Sequence, residues 1–138
     1  GKGQGTTTRE FGETSGELYA GGGGGGIDSY TAGYKNDGSG GGGSGSAYNE
    51  NNNCGFDGTA NTGGGGGGGD NVSDHTHYPS AGGGGGYTKT EKSIQLEQNK
   101  EYQILIGDGG VPRFHYYNES LHGGYGGSGI LIIRNHRE

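Results

Sequence analysis

Gly63-Gly64-Gly65-Gly66-Gly67-Gly68-Gly69 is an unbroken run of glycine, and how its backbone is satisfied decides the fold. Runs at 21–26, 40–43 (inside the glycine-rich stretch 38–45) and 82–86 repeat it, and 107–110 and 123–129 are looser versions. Glycine has the most backbone freedom to lose on ordering, and a run of it brings no apolar side chain to offset the loss. Flexible linkers are the simplest expectation for such composition. An ordered alternative must pair the amides and carbonyls of each run with something. The polyproline-II conformation meets that demand: three residues per turn, a rise of about 3.1 Å and no internal hydrogen bonds. Its N–H and C=O groups point outward, so several such helices can bond to one another, and only glycine lets their backbones approach closely enough. Cα–H···O contacts add to this as weak terms. Seven residues would span roughly 22 Å.

The expected fold is therefore mostly irregular and β-like, without α-helix: a bundle of polyglycine-II helices carrying a small antiparallel sheet. Gly21, Gly23, Gly42, Gly66, Gly84, Gly109 and Gly127 are the positions expected to pack backbone on backbone.

Composition supports an unusual interior. Forty of 138 residues are glycine, without a Gly-X-Y period and with only two prolines, so a collagen helix is excluded. Hydrophobic residues make up 24%, too few for an ordinary core, and most of the Ile, Leu and Val fall in 94–106 and 130–133. A net charge of −6 with scattered Lys and Arg, and no RGG series, argues against nucleic acid as a partner. No apolar run is long enough to span a membrane and no signal peptide is evident, so membrane insertion is not expected. Cys54 is the single cysteine, which leaves no intrachain disulfide and no cysteine-based zinc site. The length fits one domain, with glycine tracts and loops over 1–92 and a different character over 93–138. Gly1 rather than Met opens the sequence, so it is read as part of a longer chain, a processed chain or a designed piece.

Beyond the fourth tract, Ser93-Ile94-Gln95-Leu96-Glu97 alternates with period two, Gln98-Asn99-Lys100 reads as a turn, and Tyr102, Ile104 and Ile106 alternate again. That pattern predicts a β-hairpin. Ile130-Leu131-Ile132-Ile133 reads as a short strand covered on both faces. The predicted sheet order is 93–97, 101–106, 130–134, all antiparallel, with Ile104 and Ile132 buried. Short connections favour antiparallel neighbours. Tracts alternating up and down would bring loops 27–37, 70–81 and 111–122 to one end and leave the polar loop 46–62 and the sheet at the other. The three gathered loops hold most of the aromatic and histidine residues.

The stretch Tyr102-Gln103-Ile104-Leu105-Ile106-Gly107-Asp108-Gly109-Gly110, followed by Gly123-Gly124-Tyr125-Gly126-Gly127-Ser128-Gly129-Ile130-Leu131-Ile132-Ile133-Arg134, resembles the C-terminal end of glycine-rich domains in tail proteins of tailed bacteriophages, common in phages of gut Firmicutes. Thr6-Thr7-Thr8-Arg9-Glu10-Phe11-Gly12-Glu13 and Leu18-Tyr19-Ala20-Gly21 fit the same pattern. Such domains are similar to the polyglycine-II tip adhesins of some long tail fibres, in which loops between glycine helices contact the host receptor. The resemblance implies a virion or extracellular location and a host cell-surface receptor, glycan or protein, as partner. Two departures stand out. The family usually begins with an extra strand ending in Trp-Gly, whereas this chain has no Trp, and Asp108 replaces a smaller residue. Loop sequences do not carry over, so no receptor follows from the resemblance.

His75-Thr76-His77 puts two imidazoles on one face of an extended segment, and Asp70, Asp74 and His122 could complete a metal site; solvated loop histidines are the simpler reading, and no metal is assigned. The tracts match Gly-x-Gly-x-x-Gly trivially, and neither a nucleophile elbow nor a carboxylate pair in an apolar setting is present, so no cofactor and no enzymatic activity are expected. Asn71-Val72-Ser73 and Asn118-Glu119-Ser120 are glycosylation sequons, meaningful only in a secreted eukaryotic protein. Two functions from different classes remain. One is a binding module whose contacts are Tyr30, Tyr34, His75, His77, Tyr78, Phe114, His115, Tyr116 and Tyr117. The other is a structural subunit of an extracellular glycine-rich fibre or surface adhesin, joined through glycine faces or an open sheet edge. A homo-oligomer is expected in either case, a trimer if the chain sits at a fibre tip. An ice-binding protein would show a strict Gly-X-X period and flat Thr rows, which are absent.

Overall fold

In a computed structural model, residues 9–27, 36–46, 53–73, 76–112 and 122–135 are described. Among them there is no α-helix; regular structure consists of a 3₁₀ turn at Glu10–Gly12 and a hairpin of β1 (Asp70–Ser73) and β2 (Thr76–Pro79). The rest is extended or irregular chain. The core is not made of side chains: the only buried hydrophobic residues among those described are Ala20 and Cys54. Residues 64–69 are buried instead, all of them glycine.

The run 63–69 sits at the centre, and its backbone hydrogen bonds go to other segments, apart from the Gly64 amide on Thr62 Oγ1 (3.1 Å). They repeat every three residues. Gly65 and Gly68 donate to the carbonyls of Gly21 and Gly24 (2.9 and 2.8 Å) and accept from the amides of Gly43 and Ser46 (2.8 and 3.0 Å). The carbonyls of Gly64 and Gly67 accept from Gly127 and Gly124 (2.7 and 2.8 Å). Those of Gly63, Gly66 and Gly69 accept from Gly86, Gly83 and Ser80 (2.8, 2.7 and 2.9 Å). The Gly67 amide donates to Phe56 (2.8 Å). Segments 20–27, 42–46, 53–59, 80–86 and 122–129 therefore surround the central run. Segment 107–110 bonds to the outside of 122–129 through Gly126 to Gly110 and Gly129 to Gly107 (2.8 and 3.0 Å).

Strand direction differs from the simple alternation expected. Gly21, Gly24 and Ile27 donate to Gly40, Gly43 and Ser46, so 20–27 and 40–46 run parallel, and both are parallel to 63–69. The chain returns first: Asn36 Nδ2 donates to Gly25 O (3.1 Å) and the Ser39 amide to Gly22 O (3.3 Å), which lays 36–39 antiparallel along the first tract. A tight turn then reverses it, closed by the Gly42 amide on Ser39 O (2.9 Å), with Gly40 and Gly41 at φ +55° and +81°. That conformation needs glycine. The polar stretch 46–62 is also not a loop at the far end. Residues 53–59 run back antiparallel to 42–46, with Phe56 and Thr59 donating to Ser44 and Gly41 (2.9 and 2.7 Å). A turn at 59–63, held by Thr62 Oγ1 on Thr59 O (2.6 Å), feeds the central run.

The predicted sheet is a second correction. Residues 93–97, 101–106 and 130–134 form no strand, and Ile104 is 54% exposed, while Ile132 is half-buried. The turn exists, with Asn99 at φ +62° and Lys100 N donating to Glu97 O (3.4 Å), but no ladder grows from it. A period-two pattern specifies a face, and here nothing in the described chain covers that face. Conversely, the β1–β2 hairpin forms within 70–81, which the sequence pattern presents as a loop. Its register pairs Asn71 with Tyr78 and Val72 with His77.

Of the glycines expected to pack, Gly21, Gly23, Gly42, Gly66, Gly109 and Gly127 each lie against a carbonyl oxygen of another segment, where an added Cβ would land on it. Gly84 has nothing within 4 Å of that position. Gly66→Ala would drive a methyl into the Gly124 carbonyl and is expected to cost about 1–3 kcal/mol through overpacking. Gly84→Ala is expected to melt with, or slightly above, the wild type, because it only reduces unfolded-chain freedom. Denaturant melts of the two variants side by side check both.

Candidate functional site

The parallel and antiparallel order sends several chain connections to one end. Four contacts define its rim. The Ile27 amide donates to Ser46 O (3.1 Å), Gly26 to Ser80 O (2.8 Å) and Gly55 to His122 O (3.1 Å), while Ser46 Oγ donates to Asn53 O (3.1 Å). An added Cβ at Gly69 would lie 2.9 Å from His122 O and 3.0 Å from Asn53 O, and one at Gly123 would lie 3.8 Å from Pro112 Cβ. The chain therefore leaves the rim at Ile27, Ser46, Asp70 and Pro112, and re-enters it at Asn53, Ser80 and His122. The residues between those exits are 28–35, 47–52, 71–79 and 113–121. The last three connections close on the rim at both ends, and the first returns through Asn36, whose carbonyl accepts from the Gly45 amide (2.9 Å).

The opposite end is tight around 39–42 and 59–63. That end also carries a long excursion: Gly86 N on Gly63 O (2.8 Å) and Gly63 N on Ser128 O (2.7 Å) place the departure of 87–106 there, and Gly129 N on Gly107 O (3.0 Å) its return.

Of the residues assigned to contact, His77 and Tyr78 lie on β2, opposite Val72 and Asn71. Tyr30, Tyr34, His75, Phe114, His115, Tyr116 and Tyr117 lie outside the described residues, as does Asp74. What is placed is the anchoring of their segments to a common rim. Among the described residues, no group of three or more His, Cys, Asp or Glu is disposed to hold a metal. Asp70 is fully buried where the central run becomes β1. His122 Nδ1 lies 2.6 Å from Gly123 O, and its ring meets Tyr125 edge-on at 6.0 Å.

Ser46 is a rim residue that the sequence pattern did not single out. It is fully buried and binds three ways: its amide to Gly68 O, its carbonyl to Ile27 N, its hydroxyl to Asn53 O. The available signal was the continuation Gly43-Ser44-Gly45-Ser46, where serine replaces glycine without ending the tract. Ser44 plays a similar part at the side, its Oγ donating to Asp37 Oδ1 (2.9 Å). Asp57 Oδ1 accepts from the Tyr125 amide (2.8 Å), and Ser128 Oγ accepts from the Asn61 amide (2.9 Å). Polar side chains thus take over bonds wherever the glycine backbone no longer reaches.

Comparison with family models, with curated proteins and with solved structures gives no match.

Ser46→Ala removes one buried hydrogen bond and is expected to destabilise by about 1–2 kcal/mol. Amide exchange should quicken at Ile27 and Gly55, on the rim, more than at Gly64 or Gly127. Equal quickening at all four would mean that Ser46 holds the whole packing rather than the rim.

Proposed function

We propose that this chain is a non-enzymatic tail-fibre or tail-tip domain of tailed-bacteriophage type, located on the virion and acting outside the cell. In this reading, polyglycine-II helices form a bundle, and the loops between them bind a host cell-surface receptor, a glycan or a protein. The observation that carries the reading is the common rim: connections rich in Tyr, His and Phe are anchored at one end of the glycine packing. The three-residue repeat of hydrogen bonds around 63–69 supports polyglycine-II, whose period is three. Tyrosine supplies a rigid apolar ring with a polar tip at low entropic cost, which suits recognition of varied surfaces. A scaffold held by backbone alone leaves the connecting sequences free to differ, as binding loops do.

A second reading, a structural subunit of an extracellular glycine-rich fibre or surface adhesin, is favoured by a different observation. Ala81, Gly84 and Tyr87, three residues apart on segment 80–87, are all exposed. An open row of this kind could take a further glycine segment from another molecule.

Replacing residues 114–117 with Gly-Ser-Gly-Ser separates the two. The binding reading expects an unchanged melting temperature and loss of adsorption to host cells. Normal adsorption with an intact fold would move the contact surface elsewhere and favour the fibre. Unfolding would mean that these aromatics cover the bundle end and hold it together.

A further inference from the structure

One face of the molecule stands outside the glycine packing. Ile94, Leu96, Ile104, Leu105, Ile106 and Leu131 are all exposed, Leu105 at 87% and Leu96 at 61%. They lie on segments that a few contacts hold near one another. The Glu97–Lys100 turn sets 94–97 beside 102–106, with the Glu97 amide donating to Tyr102 Oη (2.9 Å). The Gly129 amide on Gly107 O (3.0 Å) then brings 130–133 alongside 102–106, and a Cβ at Gly129 would lie 3.4 Å from Ile106 Cγ2. The backbone here is as open as the side chains: among the described residues, 101–106 and 130–134 make no backbone–backbone hydrogen bond.

Exposure and charge together say what covers this face. A monomer rarely exposes an apolar patch beyond a few hundred Å². Here six large aliphatic residues, 49–87% exposed, lie on neighbouring segments. The chain carries a net charge of −6, which opposes association of copies through most of its surface. Residues 87–106 carry no net charge, with Lys89, Lys92 and Lys100 balanced by Glu91, Glu97 and Glu101. Lys89 pairs with Glu91, and Lys100 with Glu97 at 2.7 Å, so the rim of the patch is already neutralised in place. The hydrogen bond from Lys89 to Glu91 also raises the lysine pKa.

We propose that the face formed by 93–106 and 130–134 is an interface between copies of this chain, in which extended segments of one copy pair with those of the next. The period-two pattern of 93–106 then has the cover it lacks within one chain. A neutral apolar patch bounded by both signs of charge is self-complementary, whereas an acidic or basic partner would gain nothing from it.

The test uses the full chain, with light scattering for mass and amide exchange for order. Wild type is expected at a multiple of 13.9 kDa, with slow exchange at 102–106. Leu96→Lys with Leu105→Lys is expected to give a single-chain mass, with exchange at 102–106 quickened at least ten-fold and Gly65 and Gly68 still slow. Should that variant unfold, Lys92→Glu with Lys100→Glu alters charge without touching packing. It is expected to weaken association at least ten-fold, with recovery in added salt. A wild type of single-chain mass at concentrations well above micromolar overturns the proposal, whether 102–106 then exchanges fast or is protected from within its own chain. So does a folded lysine variant that keeps the wild-type mass.

Discussion

Everything in this molecule depends on pairing backbone amides and carbonyls between segments that have no side chains to offer. A net hydrogen bond contributes only about 1 kcal/mol, while ordering a residue's backbone costs roughly 1–2 kcal/mol. A glycine segment with neighbours on one side would therefore lose. The central run escapes by having neighbours around it, each reached at every third residue. Close approach is the second half of the constraint. Gly66 lies so near Gly124 that a methyl would overlap its carbonyl, and Gly23 stands in the same relation to Gly66. Van der Waals contact between backbones then supplies what buried side chains supply elsewhere.

The same constraint explains where other residue types are allowed. Serine enters the packing at Ser44, Ser46 and Ser128, where its hydroxyl bonds a neighbour. Larger residues are kept to the ends or to outward rows. Phe11 lies beyond the packing and is covered by Arg134, whose guanidinium carbon stands 4.0 Å from the ring centroid while its Nη1 reaches Glu13 at 2.5 Å. That contact ties the end of the glycine-led chain to the turn at 9–18, closed by the Arg9–Leu18 bridge and by Glu10 N on Glu17 O (2.9 Å).

Parts of this were legible in the sequence and parts were not, for physical reasons. The glycine runs announce segments without side chains, and their unpaired backbone demands partners. Direction is not announced. The bonds around 63–69 join neighbours of either polarity: 20–27 and 42–46 lie parallel to it, while 53–59 lies antiparallel. What set the direction was the return of 36–39, and Asn36-Asp37-Gly38-Ser39 does not reveal that return locally. The hairpin at β1–β2 was legible in retrospect. Val72, Thr76 and Tyr78 are residues of high strand propensity, and Asp74-His75 separate two short extended runs. The alternating pattern of 93–106 was read correctly as a pattern and wrongly as a buried sheet, because pattern specifies which side wants cover and not who provides it.

That last failure follows from the architecture. In an ordinary domain an apolar strand face packs on helices or on a second sheet, and a period-two segment finds its cover nearby. Here the interior is filled with glycine backbone and presents no apolar surface against which Leu96 or Ile104 could pack. The lattice accepts little beyond glycine and a few small or polar side chains, so it rejects the one conventionally hydrophobic stretch of the chain. Segment 107–110 joins at the margin of 122–129, and the chain on both sides of that junction, 101–106 and 130–134, leaves the packing at once. A fold cored by glycine backbone thus has two products: a scaffold with long connections at both ends, and an apolar remainder displaced to its surface.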